Sequence, residues 1–389
     1  MNPRSCRWLI VSALVITASG AWAQQSAPPA ADQKVNRSWE ATAQLLKSEC
    51  SAPPAFDQKS VAEQQPQNAF APLPWKTPAS DQKSVAEQQA SISDATTQCG
   101  LGTMYYGGRG VPQNYAQAAL WWRKSAEQGN ASAQWLLGGL YAIGHGVSRD
   151  YAQAALWYRK AAEQGNALAQ YDLGEAYYAG QGVPQDYAQS VSWFRKSAEQ
   201  GYAKSQMSLG LSYNEGQGVS QDYIQAAFWF RKAAEQGDVE AQSALGAMYS
   251  EGQGVPQGYT QSAFWFRKAA EQGYAKAQSI LGGLYGAGQG VPQDFAQAAV
   301  WFRKAAEQGD ADAQYSLGGL YYIGQGVPQD WAAAYYWHDL AAAGKLVASN
   351  AADAAKYRDK AASHLTPADL SREQERAREW LVAHQAKPQ

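Results

Sequence analysis

One spacing constrains this chain more than any other feature. Val111, Val147, Val183, Val219, Val255, Val291 and Val327 each close a Gly-x-Gly-Val motif, and neighbouring copies stand 36 residues apart. Trp121, Trp157, Trp193, Trp229, Trp265, Trp301 and Trp337 keep the same interval, as do Tyr105, Tyr141, Tyr177, Tyr213, Tyr249, Tyr285 and Tyr321. A fixed period of this size marks stacked supersecondary units, each too small to bury its own apolar face without its neighbours. Seven uninterrupted copies predict an all-α fold: an α/α superhelix, or solenoid, of about seven helix-turn-helix repeats. A stack of this kind grows by addition, so the length of 389 residues does not call for several separate cores.

Within a unit the local signals give two helices. In the second unit, Ala133, Leu137 and Tyr141 recur at helical spacing on one face, which predicts a helix A from about Ala131 to Tyr141. Gly144 and Gly146 end it. Asp150 is a natural N-cap for a helix B from Tyr151 to about Gln164, whose inner face carries Ala154, Tyr158, Ala161 and Ala162. Gly165 ends that helix, and Asn166 caps the next helix A. The B-helix cap drifts to Asn114 and Gly258, where weaker capping is expected. Gly138, Gly174, Gly210, Gly246, Gly282 and Gly318 recur inside helix A, at about 1 kcal/mol each against alanine. Close approach of a helix-B side chain, the invariant tryptophan, is the expected compensation. Arg159, Lys160 and Glu163 recur at ion-pair spacing on helix B, which reads as a solvated charged face.

These motifs resemble the Sel-1-like repeat family, a branch of the tetratricopeptide-like superfamily, over about residues 94–389. The resemblance rests on Ala-x-Ala-Gln-x-x-Leu-Gly-x-x-Tyr, on Gly-x-Gly-Val-x-x-Asp-Tyr, and on Ala-x-x-Trp-x-x-Lys-Ala-Ala-Glu-Gln-Gly. They stand here, for example, at Ala167 to Tyr177, Gly180 to Tyr187, and Ala226 to Gly237. The last unit departs from the pattern from Tyr336-Trp337-His338 to Gly344. The resemblance implies right-handed superhelices of helix hairpins that act as adaptors in assembly, signalling and envelope processes, with helix A lining the concave side. Seven repeats over 94–345 and closing helices over 346–389 follow as the expected domains. A polar closing segment is required physically, because the final unit otherwise exposes a stacking face.

Repetition separates what the fold needs from what is free to vary. On helix A, one varying register reads Cys99, Trp135, Tyr171, Met207, Ser243, Ser279, Tyr315. Two further registers supply Tyr178 and Tyr322, and Glu215 and Glu251. Exposed aromatics and methionine in a groove suit peptide or helix recognition. The candidate partner-binding set is therefore Trp135, Tyr171, Tyr178, Met207, Glu215, Glu251, Tyr315 and Tyr322, and the expected partner is a protein or peptide, with peptidoglycan as the alternative. Glu215 and Glu251 stand at equivalent places in adjacent units, where paired carboxylates serve a basic partner more simply than acid–base catalysis.

Other function classes lack their chemistry in the sequence. With a net charge of −2 and a pI near 6.1 there is no basic field for nucleic acid. His145, His338, His364 and His384 are scattered and lack metal-ligand spacing, so no metal and no cofactor is expected. The Gly-x-Gly-Val runs lack the third glycine and the preceding strand of a nucleotide loop. Ser80-Asp-Gln-Lys83 matches a Ser-x-x-Lys form without its partner motifs. Members of the resembled family that act on β-lactams carry a cysteine pair in every repeat, and this chain has none. The expectation is a scaffold and not an enzyme.

The N-terminus sets the compartment. Arg4 and Arg7 precede the apolar run Trp8 to Ala18, and Ala21 and Ala23 fit a signal-peptidase site, so residues 1–23 read as a signal peptide and the mature chain begins at Gln24. The run is shorter than the roughly 20 residues of a membrane span. The mature protein is then periplasmic or secreted, with no membrane span. Residues 24–93, rich in Pro, Ala and Gln, read as a low-complexity tether with marginal helices, and carry the duplicate Asp57 to Gln65 and Asp81 to Gln89. An oxidising compartment favours a Cys50–Cys99 disulfide, whose loop of about fifty residues contributes roughly 4 kcal/mol in the chain-entropy account.

Overall fold

The computed structural model describes residues 93–344 and 348–385. Among them are sixteen α-helices and no strand. Seven A helices alternate with seven B helices: α1 (Ala95–Gly107), α2 (Tyr115–Glu127), α3 (Ala131–Ile143), α4 (Tyr151–Glu163), α5 (Ala167–Ala179), α6 (Tyr187–Glu199), α7 (Ala203–Glu215), α8 (Tyr223–Glu235), α9 (Val239–Glu251), α10 (Tyr259–Glu271), α11 (Ala275–Ala287), α12 (Phe295–Glu307), α13 (Ala311–Ile323) and α14 (Trp331–Ala343). Two more helices follow, α15 (Ala348–Ala362) and α16 (Pro367–Gln385). The fold is an all-α helical solenoid of paired helices. It divides into two compact units, the first holding residues 93–205 and 217–220 of those described, the second 206–216 and 221–385.

Short polar side chains start the helices. Asp150 Oδ1 accepts from the amides of Ala152 and Gln153, and Asp222, Asp294 and Asp330 repeat the arrangement on their own B helices. Gly258 supplies no side-chain cap to α10. The A helices end on left-handed glycine, as at Gly180. The second glycine of Gly-x-Gly-Val answers a different need: a Cβ added at Gly182 would strike the carbonyl oxygen of Tyr151 in the preceding repeat, so only glycine lets the turn approach that backbone.

The mid-helix glycines receive a ring, but not the expected one. A Cβ added at Gly174 would stand 2.6 Å from Phe194 Cδ1, and at Gly282 2.8 Å from Phe302 Cδ1. Trp122, Tyr158, Phe194, Phe230, Phe266, Phe302 and His338 fill this seat in turn, each one residue after the invariant tryptophan. One residue is a rotation of about 100° on a helix. It turns the tryptophan aside, where a lysine lies over its ring: Lys160 Nζ is 4.0 Å from the Trp157 centroid and Lys196 Nζ 3.9 Å from that of Trp193. Burying a phenylalanine stabilises by about 1.5–3 kcal/mol, which outweighs the glycine penalty of about 1 kcal/mol.

Two polar devices repeat along the chain. Gln164 Nε2 donates to Gln134 Oε1 at 2.7 Å, while Gln134 Nε2 donates to the carbonyl of Ala126 at 3.0 Å. The glutamine of Ala-x-Ala-Gln thus ties its own helix B to the end of the preceding one, and Gln170, Gln242 and Gln278 do the same. The second device corrects the reading of the Arg-Lys pairs. Arg159 Nη2 donates to Tyr177 Oη at 2.7 Å, and Arg123, Arg231, Arg267 and Arg303 reach Tyr141, Tyr249, Tyr285 and Tyr321. These arginines clamp the invariant tyrosine of the following repeat, because a neighbouring repeat offers a fixed acceptor that a solvated glutamate on the same helix does not.

Candidate functional site

The varying registers of helix A do not share one environment. Trp135 is 2% exposed, and Met207 and Tyr315 are buried as well. Their expected place on an open surface is not what the structure shows. Helix A packs between its own helix B and the preceding hairpin, so a register that varies from repeat to repeat can lie inside. Met207 joins the cluster around Phe230 and Leu245, and Tyr315 packs with Ala341 and Ala354.

The burial of Trp135 creates an electrostatic singularity. Its Nε1 donates to Asp172 Oδ2 at 2.6 Å. Desolvation pushes the Asp172 carboxyl up to about 7, the tryptophan bond pulls it down, and Glu175 and Lys204 act in opposite senses beyond that. The Tyr202 hydroxyl is raised above its ordinary range by its own burial and by the two acids. Sequence reasoning passed over Asp172, although it was visible as an acid at a register that otherwise holds Gly100, Leu136, Ser208, Ala244, Ile280 and Ser316.

Tyr171, Tyr178, Glu215, Glu251 and Tyr322 keep partial exposure. Tyr171 lies against Phe194 and Tyr202. Glu251 is raised by desolvation alone. Tyr178 builds more: its ring stands 5.3 Å edge-on to that of Tyr187, which is exposed, and Gln185 Nε2 spans the pair by donating to the Tyr178 carbonyl at 2.8 Å and to Tyr187 Oη at 3.0 Å. The result is an aromatic shelf held by the A–B turn. The first repeat makes the same shelf from Tyr106, Gln113 and Tyr115, with His145 stacked on Tyr115 at 4.8 Å.

The seventh repeat shows such a shelf occupied. Tyr322 and Trp331 stand 5.0 Å apart, and Gln329 bonds the Tyr322 carbonyl. The α15 ring Tyr357 packs 5.5 Å from Tyr322, and His364, just past α15, stacks on Trp331 at 4.1 Å and 14°. All four histidines lie on aromatic rings, since His384 covers Trp380 and the buried His338 lies between Tyr315 and Tyr357. Among the described residues no three His, Cys, Asp or Glu side chains are gathered to hold a metal ion. No helix among them is long and apolar enough to cross a membrane.

Cys99 is fully buried and disulfide-bonded. Cys50, its expected partner, lies outside the described residues, as do the expected signal peptide and tether up to residue 92.

The Sel1 repeat model matches the chain seven times, over residues 95–130, 131–166, 167–202, 203–238, 239–274, 275–310 and 311–346. Among solved structures, a Sel1 repeat protein from Oxalobacter formigenes is 34% identical with a TM-score of 0.55, covering 64% of this chain and 97% of its own. A protective antigen of uropathogenic Escherichia coli strains with an SLR fold is 29% identical with a TM-score of 0.46, covering 80% of this chain and 90% of its own. No curated protein matches the chain.

Proposed function

This chain belongs to the Sel1 repeat family, and on that premise we propose that it is an exported adaptor that holds a protein or peptide partner on the reachable part of its A-helix registers. The observation that carries the reading is the pair of shelves. In the seventh repeat the chain's own Tyr357 and His364 fill the shelf of Tyr322 and Trp331. In the third repeat the same construction leaves Tyr178 half-buried and Tyr187 exposed. A shelf of this build takes an aromatic or imidazole ring carried on or beside a helix, so the partner presents such a ring. In the second unit, Glu215 and Glu251 are partly exposed acids suited to a basic partner segment. The repeat-invariant glycines, tyrosines and arginines are engaged in stacking, which leaves the varying residues to distinguish partners. Export follows from the N-terminal pattern of Arg4, Arg7, the apolar run and Ala23, and places the adaptor in the periplasm or outside the cell, where an envelope or host protein is the partner.

Recovery of envelope proteins on the wild-type chain and on a Tyr178→Ala/Tyr187→Ala variant tests the shelf. A specific partner retained by the wild type and lost by the folded variant is expected, and equal recovery overturns the assignment. Binding of purified glycan strands with no protein partner would replace the adaptor reading with wall binding. Mass spectrometry of the unreduced exported protein is expected to show Gln24 as first residue and a Cys50–Cys99 bond, and a retained Met1 overturns the export reading.

A further inference from the structure

A second apolar feature runs along the B helices, in the register one residue before the invariant tryptophan. In the second unit this register holds Phe228, Phe264 and Val300, exposed by 47%, 51% and 47%. Single exposed apolar residues are ordinary on protein surfaces, but a register that repeats them every hairpin is a ridge. Its next member, Tyr336, is only 3% exposed. The difference is α16. Arg376 lies over the Tyr336 ring at 4.0 Å, Ala377 is buried beside it, and one turn on Trp380 reaches the glycine that ends α12: its Cη2 stands 3.6 Å from where a Cβ of Gly309 would be. Glu373 is buried at the same contact and pairs with Arg376 at 3.2 Å and Arg372 at 3.1 Å.

That seat is made of one ridge residue and the glycine turn ending the preceding B helix. The 36-residue repeat reproduces it twice more in the second unit, as Val300 with Gly273 and as Phe264 with Gly237. At both glycines nothing stands within 4 Å of the Cβ position. The second unit therefore displays one filled and two open copies of the same seat, and the filled copy states the chemistry of the occupant. Lysines one turn beyond each ridge residue add a charge preference: Lys232 and Lys268 hold their ammonium groups 5.7 and 5.8 Å from the Phe228 and Phe264 rings.

We propose that the ridge of Phe264 and Val300, with the turns at Gly237 and Gly273, docks an amphipathic helix of a partner protein, seated as α16 is seated on Tyr336 and Gly309. The partner helix carries a small residue against the ridge, an aromatic one turn away over the glycine, and acids along the edge that meets Lys268 and Lys304. This surface is built by B helices alone, so it stands or falls independently of the shelf at Tyr178.

The probe is a fluorescein-labelled 19-residue peptide of the α16 sequence, titrated by fluorescence anisotropy into the full exported chain. Saturable binding is expected, weakened about tenfold or more by Phe264→Asp or Val300→Asp in a protein with unchanged circular dichroism and melting temperature. The peptide carrying Trp380→Ala is expected to lose binding to the same degree, which reads the seat without altering the protein. No binding of the wild-type peptide, or binding indifferent to all three substitutions, overturns the proposal. So does a wild-type dimer in analytical ultracentrifugation that the peptide dissociates, because the occupant would then be a second copy of this chain.

Discussion

The two units solve one packing problem with different rings. In the first, the seat beneath the mid-helix glycine holds Trp122, Tyr158 and Phe194; in the second it holds Phe230, Phe266, Phe302 and His338. Any flat ring satisfies the shape, so polarity separates the solutions. Trp122 Nε1 donates to the Cys99 carbonyl at 3.1 Å, a bond that makes the larger ring tolerable. Both nitrogens of His338 are buried with no hydrogen-bond partner. Each unit thus buries a titratable group, Asp172 in the first and His338 in the second, and desolvation drives both toward their neutral forms.

The largest expected effect tests whether the seat, and not the ridge beside it, holds a hairpin together. Phe230→Ala is expected to cost about 3–5 kcal/mol, while Phe228→Ala, two residues away on the exposed ridge, stays within about 0.5 kcal/mol in the same denaturant titration. Equal costs would break the distinction.

The two titratable intruders are expected to respond to pH with opposite slopes. The Asp172 carboxyl sits at about 7 in the fold against 3.8 for an ordinary carboxyl, so the folded protein keeps a proton that the unfolded chain releases. Its contribution is full below pH 3.8 and declines as pH rises to about 7. Asp172→Asn, which keeps an acceptor for Trp135, is expected to stabilise by ~1–3 kcal/mol at pH 8 and to change little at pH 4. The His338 ring sits at about 3 against 6.5, so the unfolded chain takes its proton first. That contribution is full above 6.5 and is lost as pH falls toward 3. His338→Phe is expected to stabilise at all pH values, and by more at pH 5 than at pH 8. Melting curves at pH 4, 5 and 8 check both, and parallel slopes for the two variants would contradict the account.

Smaller effects sharpen the comparison. A Cβ at Gly174 in the first unit meets the Phe194 ring at 2.6 Å, whereas at Gly246 in the second the nearest Phe266 atom is at 3.0 Å. Gly174→Ala is expected to lose about 1–3 kcal/mol and Gly246→Ala less, since helix propensity returns up to about 1 kcal/mol in each. Gly258→Asp restores the missing cap of α10 and is expected to add a few tenths of a kcal/mol, seen as a small rise in melting temperature.

Much of the fold was legible because its signals are periodic and local. Caps such as Asp150 and Asn166, and the breaks at Gly144 and Gly180, depend on a few adjacent residues, and they stand where the sequence puts them. The candidate site was legible only in part. A hairpin's interior is closed by its neighbours, and no single-unit pattern shows which side of helix A meets them. Trp135 and Tyr178 look alike as varying aromatics, yet one is buried on Asp172 and the other stands at a turn. The same limit shifted the ring in the glycine seat from Trp157 to Tyr158, a single step that carries a third of a helical turn. The arginine clamp on tyrosine was hidden because its partners lie 18 residues apart, beyond any same-helix spacing.

The central claim is that reachable residues, and not the buried ones, meet the partner. Site-specific photocrosslinking in the full-length protein tests it directly, with the crosslinker placed in turn at Tyr187, Glu251 and Trp135. A discrete intermolecular adduct from Tyr187 or Glu251, with none from Trp135, is the predicted result. Adducts from Trp135 alone, or from none of the three in cells that express the folded protein, would contradict it.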